Sequence, residues 1–183
     1  MKFLESKSEK YPPRTYHNAG TADLTVAFAE DFTTYGEELT KKAAGEKYIA
    51  IHLQTDVKEA ARALYRECRK RGVKKLNVAG NGIYSLVHFG WTDQSLNQYI
   101  YDVLGLVHTY LPFESIISGG QTGVDFAGGV AGEVFGLDCE MTFPKGFKQR
   151  NIDNVDITST VPELQAVLDN FVSQIEVRDF KSF

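Results

Sequence analysis

The feature that most constrains the fold is a repeated alternation of short apolar runs with longer segments whose apolar residues recur at helical spacing. Continuously apolar runs are typical of strands buried on both faces, and strand–helix alternation is typical of α/β proteins. The sequence therefore predicts one Rossmann-like α/β domain, with a mostly parallel sheet of about five strands and helices on both faces. The predicted strands are residues 24–29, 48–53, 75–79, 115–118 and 139–143. The predicted helices are residues 33–44, 57–71, 92–110 and 161–175, and one further helix that follows the fourth strand and ends at about residue 135.

Length and charge limit the classes of partner. A chain of 183 residues with 43% hydrophobic residues fits a single domain spanning residues 1–183. The net charge of −4 argues against a nucleic-acid partner, because phosphate backbones are held by clustered cations. No apolar stretch approaches the roughly 20 residues of a membrane span, so we expect a cytoplasmic protein without a membrane partner. Residues 1–13 and 145–160 lack a clear pattern and are expected to be loose.

A glycine-rich turn, residues 118–123, connects the fourth predicted strand to the next helix, and we call it the glycine loop. Its adjacent glycines, Gly119 and Gly120, permit positive φ and close approach of a ligand. The first amides of a helix lack backbone partners, so we expect them to point outward and bind a phosphate. The candidate phosphate-binding residues of the loop are Ser118, Gly119, Gly120, Gln121, Thr122 and Gly123.

Two interpretations of the glycine loop remain open. In the purely structural one, Thr122 is the N-cap of the following helix and Asp125 completes a capping box. In the functional one, Asp125 hydrogen-bonds hydroxyl groups of a ligand. The succession of strand, glycine turn and helix is the context in which such motifs bind phosphate, which favours the functional interpretation.

The turn after the first predicted strand places a second helix N-terminus at the same edge of the sheet. Thr34 is a candidate N-cap, Gly36 lies in the turn, and Glu37 follows Thr34 at the spacing of a plain capping box. Alternatively, Glu37 or Glu38 faces the ligand as a general acid or base, provided that burial raises its pKa. Glu37 and Asp125 are thus the candidate catalytic residues.

A third strand end, after residues 75–79, also contains glycines. Gly80 and Gly82 flank Asn81, and Tyr84 is expected to stack against a base or to cover the crevice. Asn81-Gly82 is also a common turn pair, which is the structural alternative. Ligands of open parallel sheets bind beyond the carboxyl ends of the strands, so we expect the three turns to form one pocket.

Three further polar residues are candidates for the same pocket. Arg14 and Lys145 would supply positive charge to a phosphate, and Asn18 would orient a sugar or base. A lone arginine such as Arg14 is alternatively a solvated surface residue. The four histidines show no metal-ligand spacing, so the sequence predicts no metal site and no certain cofactor.

At these motifs the sequence resembles the SLOG superfamily of Rossmann-like nucleotide-binding proteins, especially its molybdenum carrier-like branch. Residues 118–125 resemble the opening loop of that branch, and residues 144–148 resemble its next turn. Arg14-Thr15 with Asn18 and Asp23 resembles its R-T-x-x-N segment and following acid, and residues 76–84 resemble its last strand and turn. The pieces occur here in a different order, so the resemblance implies a circular permutation, which a packed sheet tolerates when the termini are close.

The chain also departs from the pattern of that branch. Around Gly36, Tyr35 and Glu37 stand where the branch tends to show a second glycine and a threonine, and the loop between Gly80 and Gly82 is shortened. The P-G-G-x-G-T-x-x-E loop of the related phosphoribohydrolases is missing. Their catalytic residues therefore cannot be transferred one by one.

Three functional hypotheses follow. The first is binding of a nucleotide or nucleotide-derived phosphate ligand at the carboxyl edge of the sheet. The second is hydrolysis of the N-glycosidic bond of a nucleotide, with Glu37 or Asp125 activating water. The third, implied by the resemblance alone, is carriage of molybdate or another oxyanion. The resemblance also implies a homo-oligomer, and the aromatic-rich residues 84–110 are either its interface or part of the core.

Overall fold

The computed structural model describes residues 1–182. These 182 residues contain eight strands: β1 (Lys2–Glu5), β2 (Leu24–Ala29), β3 (Tyr48–His52), β4 (Lys75–Gly80), β5 (Ser115–Ser118), β6 (Asp138–Phe143), β7 (Gln149–Arg150) and β8 (Asp156–Ile157). The first six form one sheet in the order β1-β6-β5-β4-β2-β3, and every neighbouring pair is parallel. The short strands β7 and β8 form a separate antiparallel pair.

Helices cover both faces of the sheet. They are α1 (Tyr11–Thr21), α2 (Tyr35–Ala44), α3 (Val57–Arg71), α4 (Ile83–Leu86), α5 (Asp93–Tyr110), α6 (Val124–Val134) and α7 (Val161–Ser173). Helices α1 and α2 pack together on one face, whereas α3, α5, α6 and α7 pack in series on the other. This arrangement confirms the predicted Rossmann-like α/β fold with helices on both faces.

The local sequence explains where the main elements begin and end. All six residues of β2 are buried, as its continuous apolar run predicts for a central parallel strand. Asp56 caps α3 by accepting hydrogen bonds from the amides of Lys58 and Glu59. Gly72 ends the same helix in the left-handed conformation, at φ 64°.

The sheet has one strand more than the sequence predicts. Residues 1–13, expected to be loose, contain β1, which pairs with β6 at the edge of the sheet, and the start of α1. Three of the four β1 residues are exposed, so their side chains carry no burial pattern that would reveal a strand. Residues 145–160, also expected to be loose, contain β7 and β8, which are too short to show a period.

Two further observations concern exposure. Ten residues of α5 are buried, so the helical part of the aromatic-rich residues 84–110 belongs to the core. Within residues 1–182, no helix is both long enough and apolar enough to cross a membrane.

Candidate functional site

A cleft of about 390 Å³ lies at the carboxyl ends of β2, β4 and β5, between α1 and the start of α2. This volume is within the range of small-molecule sites. The three turns thus converge as predicted, because parallel strands end at one edge of the sheet. The cleft is lined by many of the predicted residues: Arg14, Asn18, Gly36, Glu37, Gly80, Gly82, Tyr84, Gly119, Gln121 and Asp125.

Other predicted residues lie outside the cleft lining: Ser118, Gly120, Thr122, Gly123 and Lys145. Lys145 is exposed, and its amide donates to the carbonyl of Ser8. Its side chain is not among those that line the cleft.

The amides of the glycine loop are mostly used within the protein. The amide of Gly120 lies 3.4 Å from Ser118 Oγ, and the amide of Thr122 donates to Gln121 Oε1 over 3.0 Å. The amide of Gln121 lies close enough to the Asp125 carboxyl to lower the pKa of that group. For Gly120 and Thr122, the expectation that the loop amides are open to a ligand is therefore wrong, because side chains of the loop already accept their hydrogen bonds.

The segment around β7 covers the outer side of the glycine loop. Gln149 Nε2 donates to the carbonyl of Gly120 over 2.6 Å, and the amide of Arg150 donates to Gln121 Oε1 over 2.6 Å. Thr122 Oγ1 donates to the carbonyl of Arg150 over 2.5 Å, so Thr122 is not a cap. Helix α6 begins at Val124 without any side-chain cap, which also rules out the predicted capping box with Asp125.

Asp125 instead forms a buried ion pair with Arg14. Arg14 Nη1 lies 3.0 Å from Asp125 Oδ2, and both side chains are about 9% exposed. Burial raises the pKa of the Asp125 carboxyl, while Arg14 and the amides of Gln121 and Gly80 oppose that shift. The 3.0 Å contact with the permanently charged Arg14 guanidinium favours the ionised carboxylate of Asp125. Arg14 is therefore neither a solvated surface residue nor an unpaired cation for a phosphate.

Glu37 meets the condition set for a general acid. Thr34 Oγ1 accepts the amide of Glu37, so Thr34 caps α2 as predicted. The carboxyl does not complete a capping box, because its Oε1 accepts from Asn81 Nδ2 over 3.3 Å. Burial, followed by the charge of Asp125, raises the pKa of Glu37 to about 8, although Asn81 opposes the shift. Glu37 is therefore protonated at neutral pH.

Asn81 holds several parts of the site together by hydrogen bonds, whereas the sequence alone indicated only that it lies in a turn. Its Oδ1 accepts the amides of Glu30 and Asp31, and its Nδ2 donates to the carbonyl of Asp31 and to Glu37. Because backbone amides only donate, these bonds fix the orientation of the side-chain amide. The signal available in the sequence was an asparagine between two glycines at a strand end.

The cleft collects buried polar atoms that have no hydrogen-bond partner. Five such side-chain atoms occur in residues 1–182, and the residues of four of them line the cleft. The fifth, Asn97 Nδ2, belongs to α5 on the opposite face of the sheet. Native structures leave few buried polar groups unpaired, so this convergence indicates a missing partner. The four atoms are Arg14 Nε, Asn18 Oδ1, Glu37 Oε2 and Asn77 Oδ1.

The mouth of the cleft is aromatic and cationic. The Arg150 guanidinium carbon lies 5.8 Å from the ring centroids of both Tyr11 and Tyr84. Asp156 accepts from Arg150 Nε over 2.9 Å and from the Tyr11 hydroxyl over 2.9 Å. Tyr84 was predicted here from the sequence, whereas Tyr11 and Arg150 were missed because they lie in segments expected to be loose.

A substitution at Gly119 tests how tightly the Arg14–Asp125 ion pair packs against the glycine loop. A Cβ at Gly119 would collide with Arg14 Nη1 and the Asp125 carboxylate. We expect Gly119→Ala to lower the free energy of unfolding by roughly 1–3 kcal/mol through crowding. Gly20→Ala is the matched control, because Gly20 in α1 has open space, and we expect it to be neutral or stabilising. Equal urea midpoints for the two variants would contradict the described packing.

No cluster of three or more His, Cys, Asp or Glu side chains suited to a metal ion is found among residues 1–182. Comparisons of the chain with protein-family models, with curated proteins and with solved structures find no match.

Proposed function

We propose that the cleft binds a nucleotide or a nucleotide-derived small molecule. The observation that carries this proposal is the convergence of four unpaired, buried polar atoms in one cleft of ligand size. The cleft also lies beyond the carboxyl ends of parallel strands, where sheets of this architecture bind ligands.

The chemistry of the cleft supports this ligand class. Its inner part offers Asn18 and Asn77 as acceptors and Glu37 and Arg14 as donors, which suits a polyhydroxylated group. Its mouth offers tyrosine rings and the Arg150 guanidinium, which suit a base and a phosphate. The resemblance to the SLOG superfamily supports the same class. The glycine loop contributes the shape of the cleft rather than its amides.

Calorimetric titration tests the proposal with a panel of the four common ribonucleoside 5′-monophosphates, their nucleosides, and molybdate. We expect at least one nucleotide to bind to the wild type. Gly36 lines the cleft and has open space around its Cα, so Gly36→Phe is expected to weaken that binding at least tenfold. Gly20→Phe, at an equally open helical glycine outside the cleft, should leave binding unchanged. No binding by any nucleotide would overturn the proposal.

A second candidate function is hydrolysis of the N-glycosidic bond of that nucleotide. The observation that favours it is a pair of carboxyl groups with different protonation, Glu37 neutral and Asp125 ionised. Asp125 would take a proton from the water that adds to C1′ of the sugar, and Glu37 would protonate the leaving base.

Release of free base from the four monophosphates tests the hydrolytic function. We expect Glu37→Gln and Asp125→Asn each to reduce the release by at least 100-fold, which is the usual size of acid–base contributions. Glu38→Gln is the matched control, because Glu38 is the exposed neighbour of Glu37. Release that persists in both variants would reject the hydrolytic roles while leaving the binding proposal standing.

Molybdate carriage has less support than either candidate. The amides of Gly120 and Thr122, which would help to hold an oxyanion, are bonded within the protein, and Arg14 is paired with Asp125. The molybdate arm of the titration tests it directly.

A further inference from the structure

Asn18 lines the cleft and carries a buried acceptor. The side chain is 2% exposed, and its Nδ2 donates to the carbonyl of Ser118 over 2.8 Å. A carbonyl oxygen only accepts, so this bond fixes the orientation of the amide. Asn18 Oδ1 is then an acceptor without a protein donor. A group that satisfies it must carry an O–H or N–H.

Asn77 presents a second acceptor from the middle of β4. It is 3% exposed, and its Nδ2 donates to Thr25 Oγ1 over 3.1 Å while Oδ1 has no partner. An unsatisfied amide oxygen in a central strand is costly, at roughly 1–3 kcal/mol. Two such acceptors on residues that line one cleft require two O–H or N–H donors, which the hydroxyls of a ribose ring supply.

The inner part of the cleft does not suit a phosphate. The charge of Arg14 is balanced by Asp125, and Glu37 adds a second carboxyl group beside that pair. The amides of Gly120 and Thr122 are bonded within the glycine loop. A dianionic phosphate placed there would face a carboxylate with no excess positive charge to balance it.

The mouth of the cleft suits a phosphate better. Lys148 and Arg150 both pair with Asp156, so two cations share one carboxylate and leave an excess positive charge. Arg150 lines the cleft and is 36% exposed, so it is accessible to a ligand. A guanidinium is well matched to a phosphate.

We propose that the ligand enters the cleft sugar first, with its ribose hydroxyls donating to Asn18 and Asn77 and its phosphate held at the mouth by Arg150. This orientation rests on the proposed nucleotide-binding function. It reverses the orientation predicted from the sequence, in which the phosphate lies on the glycine loop.

The first test changes only the ligand. The probe is the ribonucleoside 5′-monophosphate of the panel that binds wild-type protein most tightly, together with its 2′-deoxy and 3′-deoxy forms and its nucleoside. We expect removal of a hydroxyl to weaken binding about five- to tenfold, and removal of the phosphate to weaken it by a similar factor. Equal affinity of the ribo and both deoxy forms would overturn the orientation while leaving the binding function intact.

The second test changes the protein. Asn18→Ala and Asn77→Ala should each reduce the preference for the ribo form over one deoxy form, and Arg150→Gln should reduce the nucleotide-to-nucleoside affinity ratio. Asn97→Ala, a buried asparagine outside the cleft, is the control for the first two. Arg71→Gln, an arginine paired with one carboxylate at similar exposure, is the control for the third.

The two tests separate the possible failures. If all asparagine variants, including the control, weaken the ribo and deoxy forms by equal factors, the subsite assignment is overturned. If Arg150→Gln has the same nucleotide-to-nucleoside affinity ratio as the wild type, the phosphate assignment is overturned. No binding by any of the four nucleotides overturns the proposed function, and the orientation with it. Because the ligand series uses the wild type, an unfolded variant does not remove the test.

Discussion

Arg14→Met is expected to lower the free energy of unfolding by roughly 3–5 kcal/mol near pH 7, the usual cost of removing one partner from a buried ion pair. The methionine side chain fills similar space, so the loss comes mainly from Asp125, which would lose its charged partner while remaining buried. Without Arg14, burial raises the pKa of Asp125 further, and proton uptake limits the loss. The destabilisation should therefore be smaller near pH 5 than near pH 8.

Urea unfolding of Arg14→Met at both pH values measures this effect. The control is Arg71→Met, because Arg71 pairs with Glu67 at an i,i+4 spacing on the surface of α3. Exposed pairs of this kind contribute well under roughly 1 kcal/mol. A loss for Arg14→Met as small as that of the control would show that water reaches Asp125, and the description of a buried pair would be wrong.

Glu37→Gln is expected to become more stable relative to the wild type as the pH rises. The pKa of Glu37 is about 8 in the folded protein, against 4.5 for an ordinary glutamic acid. Above about pH 4.5 the unfolded chain loses this proton while the folded protein keeps it, so wild-type stability falls up to about pH 8. Glutamine retains an Oε1 that accepts from Asn81, and it has no proton to lose.

The stability difference between Glu37→Gln and wild type should grow by roughly 4 kcal/mol between about pH 5 and pH 8, at about 1.4 kcal/mol per pH unit. Chemical unfolding of both proteins across this range gives the difference directly. Glu38→Gln, at the exposed neighbouring position, should show no such trend. A flat profile for Glu37→Gln would mean that Glu37 is ionised in the fold, and the proposed role as proton donor would fail.

The sequence predicts best those helices and strands whose buried residues recur at a regular spacing or form a continuous apolar run. The runs that became β2 and β5 and the spacing in α3 and α5 locate their elements to within one or two residues, because each buries one face or both. Strand β1 was missed because it contributes mainly backbone pairing. Helix α1 begins with Tyr11-Pro12-Pro13 and has few apolar residues, so no helical period marks it.

The candidate site was predicted in outline because strand-end turns of a parallel sheet meet at one edge. What the sequence did not reveal was which groups pair with each other. Arg14 and Asp125 are separated by 111 positions, and the β7 segment reaches the glycine loop from 29 positions away. Such pairings depend on tertiary geometry rather than on local pattern. The membership in the SLOG superfamily, the permutation and the homo-oligomer stay predictions.

The hydrogen bonds of Asn81 bear on how the protein would receive a ligand. One side chain joins the chain leaving β2, the end of β4 and the first turn of α2, so a shift of any of these three walls would break at least one hydrogen bond of Asn81. A cleft held in this way has its binding conformation before a ligand is present, so association costs little ordering of the backbone. Selectivity would then come from steric exclusion of molecules whose shape does not fit the cleft, since its walls do not adapt to them.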